Sequence, residues 1–324
     1  MMHDTSAPTG EKYNAALVSV RRVHEGLMVV RVRPDDGPLS FNPGQYATLG
    51  FGFWEERVEG SQEESERQKE KREKLVRRPE SFSHPILTDS GDRLLAPDEP
   101  EFHEFLMNLV THSPEGTKPP EFTPRLYHPS VRPGSRMFCD GKVKGAYTLE
   151  LEDLGRGGHI VFASNGTGNA PHNAMVWKLL QMGYDGRITS VVSVRRRRDL
   201  VYLDVHERLQ ALHRNYTYIP LPTEEAASPH GPGAIQEFVL EGGLEKEIGE
   251  PLDPGKMSFF LCGSDALIGV PGIDRQTRRK VYPKDPATGR PGLIEILETR
   301  YGFMMDPPAK SSGERGSIHY EKWY

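Results

Sequence analysis

Ile160-Val161-Phe162-Ala163-Ser164-Asn165-Gly166-Thr167-Gly168-Asn169-Ala170-Pro171 is the stretch whose reading decides the fold of the second half of the chain. A short apolar run feeds a glycine turn, and residues 172–183 then carry a helical pattern. A strand that breaks into a glycine-rich loop and resumes as a helix aims backbone N–H groups and a positive helix end at an anion, usually a phosphate. The same letters also suit a plain strand-to-helix connection, so the company they keep matters. Working outward, strands are predicted over 188–194, 216–221 and 257–262. Helical patterns follow over 200–213 and 235–244, and a third helical region ends near Arg279. A last helix over 293–300 puts Leu293, Ile294, Ile296 and Leu297 on one face. Repeated β–α alternation predicts a parallel sheet with helices on both faces. Ligands of such sheets sit at the carboxyl ends of the strands, where both Gly166-Thr167-Gly168 and Cys262-Gly263 are predicted to fall.

The first half has a different grammar. Two β-type runs, 16–20 and 27–32, are separated by His24-Glu25-Gly26 and read as an antiparallel pair. Pro43-Gly44 punctuates a third run over 45–51, and short strands are predicted at 106–110 and 137–139. Strands without intervening helices imply an antiparallel barrel or sandwich. A charged insert at about 54–76 offers i,i+4 pairs, Glu63 with Arg67 and Glu70 with Lys74. It reads as a solvated helix or loop, with a partner-binding element as the alternative. A second long connection runs over 87–100. The expected organisation is a disordered lead-in at 1–11, a β-barrel domain at 12–154 and an α/β domain at 155–324. No internal repeat is recognisable.

The 324 residues suffice for two cores, and 36% hydrophobic with 27% charged residues describes a folded, polar-surfaced chain. A net charge of −5 argues against a general nucleic-acid binder. Cys139 and Cys262 form no CxxC or zinc-type spacing, and no metal-ligand set or Ser/His/Asp order stands out. The polar start has no apolar h-region, and no apolar run reaches membrane-spanning length. The expected location is therefore the cytoplasm, with no membrane partner.

Five motifs occur in order: Phe41-Asn42-Pro43-Gly44-Gln45-Tyr46, Thr123-Pro124-Arg125-Leu126, Gly166-Thr167-Gly168-Asn169-Ala170-Pro171, Leu261-Cys262-Gly263, and the tail from Gly316 to Tyr324. With them the chain resembles the bacterial branch of the ferredoxin–NADP reductase family over roughly residues 13–324. The resemblance implies FAD in the amino-terminal barrel, NADP in the second domain, and electron exchange with ferredoxin or flavodoxin. It also implies roles for single residues. Arg78 would meet the FAD pyrophosphate, where a planar guanidinium donates two hydrogen bonds at once. Ser81 and Ser83 would face the isoalloxazine edge, Thr123 and Arg125 the FAD phosphates. Gly145 and Thr148 would lie in the barrel's closing segment near the cofactor. Gly166, Thr167 and Gly168 would line the nicotinamide–pyrophosphate crevice, with Cys262 and Gly263 beside the nicotinamide. Arg195 would face the 2′-phosphate of NADP. Glu321 matches a tail carboxylate placed near the flavin, a candidate proton relay. Tyr324 would cover the flavin face, with Trp323 the other candidate.

The chain departs from the family pattern in three places. Glu80 stands where a tyrosine would stack on the flavin, and Pro79 before it lacks a backbone donor. Glu224 stands where an arginine is expected at the 2′-phosphate, and Asn165 replaces a threonine. An acidic carrier calls for a basic docking surface, to which Arg275, Arg278, Arg279 and Lys280 are candidates. Two other readings stay open: an NAD(P)H-dependent flavin or quinone reductase on the same scaffold, and a weakly catalytic relative kept for binding or regulation.

Overall fold

The protein is described by a computed structural model covering residues 13–96, 98–113, 117–149, 158–225, 234–306 and 316–322. Burial alternates from Ala15 to Val18, with Ala15 and Leu17 turned inward, and strand β1 (Ala15–His24) pairs antiparallel with β2 (Leu27–Pro34). Strand β3 (Tyr46–Gly52), helix α1 (Glu66–Lys69), β4 (Leu75–Ser81), β5 (His103–Asn108), helix α2 (Thr123–Leu126) and β6 (Arg136–Cys139) complete this part. The strands form one antiparallel sheet in the order β4-β3-β6-β1-β2-β5. Leu17, Met28, Val30, Leu49, Phe51, Phe105 and Met137 fill its core.

β4 has little hydrophobic signal, because Arg77, Arg78, Pro79 and Glu80 occupy its middle. It forms because β3 needs a partner, and the ladder runs from Tyr46 opposite Ser81 to Gly52 opposite Leu75. The charged insert makes only the single turn α1. Lys69 bonds Glu63 and Glu66 in place of the expected i,i+4 pairs. Gln68 is buried in that turn and donates to the Pro119 carbonyl and the Glu121 carboxylate, both at 3.1 Å. The insert is thus tied down ahead of α2.

The chain divides between Ala146 and Tyr147; the expected boundary at 154/155 falls among residues outside the description. In the second unit five strands run parallel: β7 (His159–Asn165), β8 (Arg187–Val194), β9 (Tyr216–Pro222), β10 (Met257–Gly263) and β13 (Ile318–Lys322). Their order is β13-β10-β7-β8-β9. Helix α3 (Asn169–Gln181) follows β7, and α4 (Leu203–Leu212) follows β8. The single helix expected after β9 is two, α5 (Ile235–Leu240) and α6 (Gly243–Ile248). Gly242, left-handed with φ 75°, separates them.

The helical region expected up to Arg279 is a correction. Helix α7 (Asp265–Ile268) makes one turn and stops at Gly269, after which Pro271 opens an antiparallel ribbon, β11 (Gly272–Ile273) and β12 (Lys280–Val281). The excursion returns at Gly292, where the two glycines touch: a Cβ on Gly269 would lie 2.6 Å from the Gly292 Cα. Helix α8 (Leu293–Ile296) then continues as a π-helical turn, Leu297–Tyr301. Among the described residues no helix is long and apolar enough to cross a membrane.

Candidate functional site

In the second unit the strand order reverses between β7 and β10. β8 and β9 extend the sheet to one side, β10 and β13 to the other. A crevice at the carboxyl ends of two such strands is where open α/β sheets bind ligands. Gly166, Thr167 and Gly168 form a short 3-10 turn at the end of β7, and α3 begins directly after it, three residues earlier than the sequence suggests. Gly168 packs against the end of β10 so closely that a Cβ there would sit 2.2 Å from the Cys262 carbonyl oxygen. A Cβ on Gly263 would meet Asn165 Oδ1 at 2.0 Å. Gly166 has φ 53° and open space beside it. Asn165 fastens the two strand ends together: its Nδ2 donates to Ser264 Oγ at 2.9 Å, and its Oδ1 accepts from Ser264 N at 3.0 Å. That clamp gives the threonine replacement a function the sequence alone did not suggest.

Cys262 is fully buried, and Glu321 lies opposite it in the parallel register of β10 and β13. Both raise the pKa of Tyr147, which burial already holds well above the ordinary phenol range. The Tyr147 hydroxyl meets His172 Nε2 at 2.7 Å. His172 reads in the sequence as a helix-start residue, yet α3 carries it fully buried. Burial drives its pKa down to about 3, so it is neutral at pH 7. Thr148, next along, is also buried. Tyr324 and Trp323 lie outside the described residues.

Past β8 the four consecutive arginines are exposed. Arg196 lies 3.5 Å from Glu224, Arg197 lies 3.3 Å from Glu207, and Arg198 lies 3.9 Å from Asp199. Arg195 has no ion pair among the described residues. Its carbonyl accepts from Glu224 N at 2.9 Å, so Glu224 is fixed beside the arginine run by backbone.

In the first unit the expected FAD contacts separate. Arg78 is one-third exposed; its Nε lies 3.0 Å from Glu80 Oε1, close enough for attraction but not aligned for a hydrogen bond. Glu80 Oε1 is buried with no hydrogen-bond partner. Burial raises the Glu80 pKa to about 7, and Arg78 opposes the shift. Ser81 and Ser83 are buried beside it, Ser83 N donating to the Glu104 carbonyl at 2.9 Å. Gly145, with φ 112°, lies against Gln45 and Tyr46, and its carbonyl accepts from Gln45 Nε2 at 3.3 Å.

Arg125 and Thr123, expected as donors to the FAD phosphates, are engaged within the first unit. The Arg125 guanidinium is 1% exposed and donates to the carbonyls of Gly52, Phe53 and Glu121 and to the Glu64 carboxylate, at 2.7–3.1 Å. Thr123 Oγ1 exchanges both of its hydrogen bonds with the Val110 backbone. A charge cannot stay so deep without partners, and these partners are the protein's own.

Residues 162–270 match the oxidoreductase NAD-binding domain model. The chain is 26% identical over 178 residues to a ferredoxin–NADP reductase of Pseudomonas aeruginosa, covering 52% of this chain and 65% of that protein. It is 27% identical over 144 residues to the reductase component of a phenol 2-monooxygenase from Pseudomonas sp. strain CF600, covering 44% of this chain and 39% of that protein. The matches therefore span less than two thirds of either relative. A ferredoxin NADP+ reductase from Neisseria gonorrhoeae, solved with bound FAD and NADP, superposes with a TM-score of 0.64 at 18% identity, over 96% of this chain and 98% of that one. The chain carries an oxidoreductase NAD-binding domain, and its fold is that of the ferredoxin NADP+ reductase structure. The glycine crevice lies within the matched domain. Among the described residues no group of His, Cys, Asp and Glu has metal-binding geometry.

Proposed function

We propose that this chain is a flavoprotein oxidoreductase that moves electrons between NADP(H) and a one-electron carrier such as ferredoxin or flavodoxin, in the cytoplasm. The observation that carries the reading is the crevice at the β7/β10 reversal, where Gly168 and Gly263 leave no room for a side chain and Gly166 leaves its backbone open. Bound FAD supplies the conversion between two-electron and one-electron chemistry. Gly166, Thr167 and Gly168 bring backbone close to the pyrophosphate, and Gly263 does the same at the nicotinamide end. Arg195, unpaired among the described residues, reaches the 2′-phosphate, with Glu224 opposing it. In the first unit Arg78 keeps guanidinium nitrogens free for the FAD pyrophosphate, and Ser81 and Ser83 border the ring. The orphaned Glu80 oxygen leaves a polar atom for a ligand to satisfy. Tyr147, fixed by neutral His172 near Cys262 and Glu321, orders that corner without itself ionising.

Protein purified with added FAD should keep its flavin bands through gel filtration and bleach under NADPH without oxygen. A colourless protein with no calorimetric FAD binding would end this reading. One observation favours a second reading, a reductase that uses flavin as a passing substrate: Arg125 and Thr123 are committed inside the barrel. Steady NADPH oxidation that depends on free flavin, with none retained on the column, would select it.

A further inference from the structure

Arg78 and Glu80 stand two residues apart on β4 and therefore share one face of the strand, with Leu49 and Ala47 of β3 opposite them. Leu49, Ala47 and Val76, the next residue on that face, are all buried. A glutamate is out of keeping with this apolar face. Its side chain is 12% exposed, and Oε1 finds no hydrogen-bond partner. A buried carboxyl left unpaired costs stability, so packing does not account for its presence. Perturbed ionisable groups of this kind gather where a ligand uses them.

The surroundings leave it one counter-charge among the described residues. Arg78 snorkels outward with a third of its side chain exposed and brings Nε to 3.0 Å of Oε1. At the end of α2 lies Tyr127, whose hydroxyl donates to the Met107 carbonyl at 2.6 Å. Burial first, and Glu80 in lesser part, hold that phenol above its ordinary range, while Arg22 of β1, 5.8 Å from the ring, opposes. On β5, Glu104 is paired with Arg31 at 3.0 Å, and His103 accepts from Leu39 N at 2.7 Å as a neutral ring. Burial lifts the Glu80 carboxyl to about 7, and Arg78 pulls it down. Near neutral pH its charge thus depends on what else Arg78 is asked to hold.

We propose that FAD binding is coupled to protonation of Glu80: the cofactor's diphosphate takes a share of the Arg78 guanidinium, and the Glu80 carboxylate takes a proton from solvent. The coupling rests on the flavoprotein reading above. The diphosphate brings two negative charges to a place that holds one cation and one carboxylate. Like charges so close disfavour ionisation of the weaker acid, which is Glu80. As the neutral acid Glu80 donates a hydrogen bond as well as accepting one, which suits a flavin edge rich in acceptors.

The test titrates FAD into the flavin-free, full-length protein by calorimetry at pH 7.5, in buffers of different ionisation enthalpy. FAD has no group of its own that titrates near neutrality, so any proton taken up belongs to the protein. Wild type should take up roughly half to one proton per FAD, and Glu80→Gln roughly none. Wild-type affinity for FAD should then fall by up to about tenfold per pH unit above neutrality. Glu80→Gln, an isostere of the neutral acid, should bind with little pH dependence and exceed wild type by about tenfold at pH 8.5. Carbon-13 NMR of the Glu80 carboxyl in wild type needs no variant: its titration should move up by about one pH unit or more when FAD is added. An unmoved titration, equal uptake by both proteins, or FAD bound without uptake overturns the proposal and leaves the flavoprotein reading standing. Failure to bind FAD at any pH overturns both. Uptake that depends on Glu80, in a protein that NADPH does not bleach, sustains the proposal and sinks only the reductase reading.

Discussion

Glu80 and Arg125 are both ionisable side chains taken out of water within the first unit, yet only Arg125 is fully partnered. For Glu80 the folded pKa of about 7 lies above the ordinary 4.5, so the folded state binds a proton that the unfolded chain has released. Its stabilisation is full below pH 4.5 and is lost as pH rises through 7, a span of about 3 kcal/mol as an upper figure. Glu80→Gln should remove that slope, seen as urea midpoints that fall less between pH 5 and 7.5 than those of the parent. Glu80→Tyr should tighten FAD by about two- to tenfold, since an aromatic contact contributes about 0.5–1.5 kcal/mol. Unchanged FAD affinity would place the ring elsewhere. Arg125 predicts the opposite pattern. Arg125→Met strands the Glu64 carboxylate and three carbonyls, and should cost about 3 kcal/mol or more in denaturant unfolding. Arg78→Ala should leave stability within about 0.5 kcal/mol and lower FAD affinity.

At the scale of elements, the sheet of the second unit was legible because each strand is an apolar run with a turn behind it. β7, β8, β9 and β10 lie within a residue or two of where periodicity puts them. β4 was hidden because its inward side chains include a glutamate, so neither alternation nor β-propensity marks it; only its ladder with β3 does. The α5/α6 break and the short α7 turn on single glycines in the left-handed conformation, a backbone property that a helical periodicity does not register. The site divides the same way. The glycines were legible by type, whereas the engagement of Arg125, the Asn165 clamp and the Tyr147–His172 bond depend on contacts between distant positions. The pairing of β8 with β9 carries a further prediction, since it fixes Glu224 beside Arg195. Glu224→Arg should tighten NADPH by about tenfold, the worth of one charged hydrogen bond, and leave NADH nearly alone. Arg195→Ala should act in the opposite sense; an equal effect on both nucleotides would show that neither side chain faces the phosphate.

Across the whole molecule the two units respond differently to acid. In the second, His172 and His206 are fully buried with pKa values driven down to about 3, and His159 is lowered by burial as well. Each must charge on unfolding below pH 6.5, so each withdraws stability as pH falls. In the first unit His103, lowered to about 4, pulls the same way, but Glu80 pulls against it over the same interval. Between pH 6.5 and 4.5 calorimetry should therefore show the melting temperature of the second unit falling more steeply than that of the first. Limited proteolysis during the melt would assign the transition. A steeper acid loss in the first unit than in the second would contradict the burial of these histidines.

The contact between Gly269 and Gly292 has a consequence for how such a chain can diversify. A segment whose two ends already touch hangs from the sheet at one point, and its length is nearly invisible to everything else. Doubling a flexible loop costs only about 0.6 kcal/mol in closure entropy. Whole excursions can be lengthened, exchanged or grafted at that neck without shifting β10 or α8, and the glycine crevice at the end of β10 keeps its shape.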